Sequence, residues 1–297
     1  MKKIGLAGAG TMGASIARCF AKHGYVVWVY DIMEEALKRA KELIELDQPK
    51  EVAARISYSG SMRDCFADAD FILESVKEDL SVKHTFWAEA SAVAPENCLL
   101  ATNTSGLSIT AIAEAVKKPD RFGGMHWFNP AHLIPLVEVI KGDKTSAETG
   151  QKIYDLAVAV KKKPIMVEKD APGFVGNRIQ AAVLRECNHI AGSGIASYED
   201  IDKAVKYALG FRYACLGPFE VADMGGLDIF HYIFEYLFPD LSDAKQPFGL
   251  LEERFKNGEY GVKTGKGVYD YSGDKAQKAV RRRDELYEIV ANALHSE

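Results

Sequence analysis

The stretch that most restricts how this chain can fold is Gly8-Ala9-Gly10-Thr11-Met12-Gly13, because of what stands on either side of it. Before it runs the apolar KIGLA. After it comes a segment in which Ile16, Ala17 and Phe20 recur on one helical face, and then a second apolar run, VVWVY, ending at Asp31. A strand, a glycine turn, a helix and a second strand closed by an acid form one connected unit, whereas a lone G-x-G would signify only a turn. The first glycine permits the tight turn, the second lets the backbone approach a pyrophosphate, and the third lets helix and strand pack closely. The helix N-terminus offers unpaired N–H groups and a partial positive charge to that pyrophosphate. Asp31 stands where a carboxylate can accept hydrogen bonds from an adenosine ribose and repel a 2′-phosphate. Ile32 and Met33 follow with no cation to receive such a phosphate, so NAD is expected rather than NADP.

The alternation continues. FILESV precedes a helical pattern over 81–93, and CLLATNTS precedes one over 108–117, as a parallel sheet built of βαβ units requires. The regime then changes. FGGMHWF and LIPLVEVI are separated by a few residues around Asn129-Pro130-Ala131, too few for a helical crossover, so they are expected to pair antiparallel. That places His126 and Glu138 on neighbouring strands. From Asp170 a D-A-P-G start signal is followed by a long helical pattern from Phe174 to about Ala191, and further helical stretches follow at 198–208, 218–236, 243–256 and 275–295. The expected architecture is an α/β Rossmann-type dinucleotide-binding domain over residues 1–170, followed by an all-α domain over 171–297.

With 297 residues the chain is long enough for two cores, and its 47% hydrophobic and 27% charged residues are ordinary globular values. A net charge of −5 leaves no basic footprint for nucleic acid, and Arg281-Arg282-Arg283 is followed at once by Asp284 and Glu285. No apolar run approaches the roughly 18 residues needed to cross a bilayer. A cytoplasmic protein with neither nucleic-acid nor membrane partners is expected. The five cysteines are dispersed with no C-x-x-C pair, so neither a disulfide framework nor a metal site is expected.

Taken in order, GLAGAGTMG, ATNTSGLSI, GGMHWFNP, LVEVI, APGFVGNRI, LGPFEVADMGGLD and KTGKGVYDY resemble the L-3-hydroxyacyl-CoA dehydrogenase family over essentially the whole chain. The resemblance implies NAD-linked oxidation of a 3-hydroxyl to a 3-oxo group, with the helical domain making a homodimer. It places the catalytic His at His126, its carboxylate partner at Glu138, and substrate contacts at Ser105 and Asn177, with Asn129 beside them. It places cofactor contacts at Glu78, Lys83 and Asn103, besides Gly8, Gly10, Thr11, Met12, Gly13 and Asp31. The chemistry agrees: an alcohol losing hydride needs a base for its proton, and imidazole ordinarily titrates near neutrality. A carboxylate on the other ring nitrogen orients the ring and favours the imidazolium. The bland readings are that Ser105 caps the following helix and that Asn177 bridges the first turns of its own.

Two departures bear on the substrate. Family members carry a long helical hairpin after the second strand that helps hold the coenzyme A nucleotide, and here only about 25 residues separate Asp31 from Ile56, interrupted by Pro49. GFRYACLGP resembles the form found in relatives acting on free acids such as L-gulonate or carnitine, where Arg212 could pair with a carboxylate; Arg212 could equally cap the preceding helix. A short 3-hydroxyacyl-CoA is the expected small-molecule substrate, a free 3-hydroxy acid the alternative, and a non-catalytic NAD-binding structural protein a third reading.

Overall fold

The computed structural model describes residues 1–295. The chain divides into two compact units, Met1–Arg178 and Ile179–Glu297. The first is built on one eight-stranded sheet: β1 (Lys3–Ala7), β2 (Val26–Tyr30), β3 (Ile56–Ser59), β4 (Phe71–Glu74), β5 (Leu99–Thr102), β6 (Phe122–Trp127), β7 (Leu136–Ile140) and β8 (Lys163–Val167). Their order is β3-β2-β1-β4-β5-β6-β7-β8, parallel throughout except at β6–β7, which pair antiparallel. The reversal falls where the connecting segment is too short for a crossover.

Seven helices cover this sheet: α1 (Thr11–Lys22), α2 (Glu34–Asp47), α3 (Lys50–Ala53), α4 (Met62–Phe66), α5 (Leu80–Val93), α6 (Ile109–Ala113) and α7 (Ala147–Ala159). One apolar layer joins Ile16, Phe20, Ile44 and Ile153 to Leu6, Val29 and Leu73, and a second joins Phe66, Trp87 and Ile112 to Ile72 and Leu100. Alternate strand residues face alternate layers, so the strands are apolar on both faces. Between β2 and β3, α3 is a single four-residue turn. The helix α7 and the strand β8 have no counterpart in the sequence-based expectation, although Ser146 caps α7 by accepting from the Thr149 N–H at 3.1 Å.

The helical pattern from Phe174 begins as a helix two residues later: α8 (Gly176–Gly192) starts at the end of the first unit. The second unit is all-helical, with α9 (Tyr198–Ala204), a π-helical turn at Val205–Leu209, α10 (Gly210–Tyr213), α11 (Pro218–Gly225), α12 (Leu227–Leu237), α13 (Gly249–Lys256) and α14 (Lys275–His295). The expected helix at 218–236 is two, because Gly226 has φ +91°, outside the helical region. Among the described residues no helix is long and apolar enough to cross a membrane.

Candidate active site

The glycine loop follows β1, and β1 lies between β2 and β4, where the strand order reverses. In an open α/β sheet, ligands bind in the crevice beyond the strand C-termini at that point. A cavity of about 750 Å³ opens there, lined by Gly8, Gly10, Asp31, Met33, Ser75 and Phe86 among others. The three glycines differ in what they need. A Cβ on Gly8 would lie 2.4 Å from the Ser75 carbonyl oxygen, and one on Gly13 would lie 1.8 Å from the Gly8 oxygen. A Cβ on Gly10 would meet nothing within 4 Å, and Gly10 has φ −72°, open to any residue. The protein itself does not require glycine there, and the open space admits a group pressed close against the loop. Gly10 precedes α1 with no side-chain cap, and the first turn, beginning Thr11-Met12-Gly13, carries no acid, so its N–H groups are left for an anion. Asp31 Oδ2 accepts the Ala9 N–H at 2.8 Å and Oδ1 the Met33 N–H at 2.9 Å. Each oxygen keeps a second lone pair, enough for a ribose hydroxyl. These residues fit a dinucleotide.

Beyond β5 the antiparallel reversal brings His126 of β6 directly opposite Glu138 of β7. Paired residues share one face of the sheet, so the two side chains meet: His126 Nδ1 is 2.7 Å from Glu138 Oε2. Glu138 is fully buried and His126 is 3% exposed. The other carboxylate oxygen, Oε1, accepts the N–H groups of Val175 and Gly176, both at 2.9 Å, where α8 begins. Burial pushes the Glu138 carboxyl up, but the His126 hydrogen bond and the two backbone donors outweigh it and hold the group below its ordinary range. An anionic Glu138 accepts from Nδ1–H, which leaves Nε2 as the basic nitrogen. The rings of Phe128 and Phe174 stand against the imidazole, with centroids 4.6 and 5.7 Å away.

Ser105 and Asn177 are joined: the Asn177 side-chain amide donates to the Ser105 carbonyl oxygen at 2.9 Å. The cap of α6 is Ser108 rather than Ser105, so the Ser105 hydroxyl has no capping duty. Ser105 and Gly106 are exposed, and their N–H groups donate to Glu78 Oε1 at 2.8 and 3.2 Å, alongside the Thr104 hydroxyl at 2.5 Å. Lys83 is 1% exposed and its ammonium lies 3.2 Å from Glu78 and 2.6 Å from Glu74. Burial raises the Glu78 carboxyl, but Thr104, Lys83 and the Ser105 N–H together bring it below the usual range. Asn103 spends its side chain inside the first unit, donating to Ser75 Oγ at 3.2 Å and accepting the Trp127 N–H at 2.8 Å. Asn129 is exposed in the β6–β7 loop, and Arg212 is exposed within α10 of the helical unit. Sequence reading missed Glu74, although the signal that marked Glu138, one acid in an apolar strand, is equally present in FILE.

The family model described as "3-hydroxyacyl-CoA dehydrogenase, NAD binding domain" matches residues 3–171, and "3-hydroxyacyl-CoA dehydrogenase, C-terminal domain" matches 173–271. The chain is 32% identical to 5-formyl-3-hydroxy-2-methylpyridine 4-carboxylate 5-dehydrogenase of Mesorhizobium japonicum, over 95% of this chain and 96% of the relative. A crystal structure of that kind of dehydrogenase, described as an NAD+ dependent dismutase, superposes with a TM-score of 0.94 at 30% identity, covering 99% of this chain and 98% of the other. The (S)-3-hydroxybutyryl-CoA dehydrogenase structure from Ralstonia eutropha is 36% identical, with a TM-score of 0.73 over 92% of this chain and all of the other.

Proposed function

Because the chain belongs to the 3-hydroxyacyl-CoA dehydrogenase family, and is therefore an NAD-dependent oxidoreductase acting on a CH–OH group, we propose that it interconverts a 3-hydroxy substrate and its 3-oxo form with His126 as general acid and base. NAD, when bound, accepts the hydride. His126 takes the hydroxyl proton at Nε2 during oxidation and returns it during reduction. Glu138 stays ionised, holds the ring through Nδ1 and stabilises the imidazolium. Ser105 and Asn177 hold the substrate oxygen, and the Phe128 and Phe174 rings keep water from the imidazole. Asp31 and the glycine loop hold the cofactor, with Glu78, Lys83 and Asn103 shaping the segment beside it. The observation that carries this reading is the 2.7 Å His126–Glu138 contact across a sheet register that sets the two residues face to face. Replacing His126 with Gln should lower turnover about 100-fold or more while NADH affinity, read by fluorescence titration, stays near the parent's; undiminished turnover would remove His126 from the mechanism.

For the group beyond the 3-carbon, the first reading is a short acyl-CoA thioester. The second, the same chemistry on a small free acid, is favoured by three observations. The segment after β2 ends in a single helical turn rather than a hairpin. The fold is close to that of a dehydrogenase whose own name contains a carboxylate. Arg212 is exposed, with a guanidinium suited to carboxylates. Following NADH absorbance with acetoacetyl-CoA and with acetoacetate separates the two: turnover only with the thioester removes the second reading, and turnover only with the free acid removes the first.

The partner surface is proposed to be a second copy. The helical unit exposes Tyr207, Phe211, Phe219, Met224 and Tyr236, more large apolar side chains than a solitary helical domain ordinarily leaves in water.

A further inference from the structure

Glu74 closes β4 and is completely buried, yet the chemistry proposed above gives it no task. It receives four donors. Lys83 Nζ at 2.6 Å and the Val76 N–H at 2.8 Å go to Oε1, while the Thr102 hydroxyl at 2.8 Å and the Trp87 indole N–H at 3.3 Å go to Oε2. Every donor the fold brings to this buried carboxyl is spent on it, and its ion-pair partner is Lys83.

Lys83 does not end there. Its ammonium also reaches Glu78, and Glu78 gathers the Thr104 hydroxyl and the Ser105 and Gly106 N–H groups onto one oxygen. The tip of that turn has little else to hold it. Ser105 and Gly106 are exposed, nothing lies within 4 Å of where a Gly106 Cβ would stand, and Asn177 adds one hydrogen bond to the Ser105 carbonyl. Three charges in a row therefore connect the buried end of β4 to the turn that bears Ser105.

We propose that Glu74 is a positioning residue for the reaction, fixing the Lys83 ammonium so that Lys83 fixes Glu78 and Glu78 fixes the 104–106 turn; this rests on the placing of Ser105 at the substrate. Glu74 touches neither substrate nor cofactor. Its contact with Lys83 is shorter than that of Glu78, 2.6 against 3.2 Å, so the buried acid sets where the ammonium sits and the half-exposed one follows.

The test uses the full chain with Glu74→Gln, Glu78→Gln and the double variant. Hydrogen exchange of the segment 103–107 reads the turn without requiring turnover. We expect Glu74→Gln to speed exchange of the Ser105 and Gly106 amides about 10-fold or more. We expect each single variant to lower kcat about 10- to 100-fold, as small misplacements near a reacting centre do, and the double variant to fall no further than the worse single one, since both act through one turn. Parental exchange in Glu74→Gln, or losses in kcat that multiply in the double variant, would overturn the proposal. Should Glu74→Gln fail to fold, Glu74→Gln with Lys83→Met removes both buried charges together; it is expected to fold and still show the fast-exchanging turn, and a parental turn would be equally fatal. Normal turnover in His126→Gln would instead sink the base assignment and leave the exchange result standing.

Discussion

At the scale of single residues the site depends on which oxygen of Glu138 does what. Oε1 is committed to two N–H donors and Oε2 to His126. In Glu138→Gln the amide oxygen must stay with the two donors, so the amide NH2 turns toward the imidazole. Nδ1 then has to accept, the ring proton moves to Nε2, and the base is lost. Turnover should fall about 100-fold or more in steady-state assays while the sheet is kept. The pH dependence has a definite sign. Glu138 is held below its unfolded value of about 4.3, so its contribution to stability is complete above that pH and is lost as pH falls through the lower folded value. Calorimetry should therefore show a melting-temperature gap between parent and Glu138→Gln that shrinks as pH falls below about 4.3. Both residues could be found in the sequence because a polar residue in an apolar strand stands out. Glu74 stands out as plainly, but its meaning lies in Lys83 and Thr102, which come from other elements and are not its neighbours in the chain.

At the scale of elements, the glycine loop separates what the fold needs from what the ligand needs. Gly13→Ala drives a methyl into the Gly8 carbonyl and should cost about 3 kcal/mol or more, visible in chemical denaturation. Gly10→Ala meets open space and should leave stability within about 0.5 kcal/mol of the parent while weakening NADH binding in a titration. Equal effects of the two substitutions would contradict this division of labour. The loop was legible because strand, turn and helix are contiguous. The elements α7 and β8 were not read: β8 begins Lys163-Pro164 and only Val167 in it is buried, so it lacks the apolar density that marked β4 and β5. The break at Gly226 was invisible for another reason, since glycine within a helical pattern does not declare its φ.

At the scale of the whole molecule, the two-part architecture was readable from the change of pattern near Asp170, whereas a second copy as partner of the helical unit was expected from the family resemblance alone. A surface becomes apolar in three dimensions, and Phe211, Phe219 and Tyr236 come from three different helices, α10, α11 and α12. Sedimentation equilibrium of the full chain should give a mass near twice 32.7 kDa, and Phe219→Glu should shift it toward the monomer; a monomeric parent would remove the second copy from the proposal. The antiparallel join of β6 and β7 has a consequence for how such a protein can change over evolutionary time. Because His126 faces Glu138 through a register with a period of two, one inserted residue absorbed by either strand would send the acid through to the opposite face. The number of residues within β6 and β7 is thus locked by this pairing, while substitutions that keep the alternation of faces remain open.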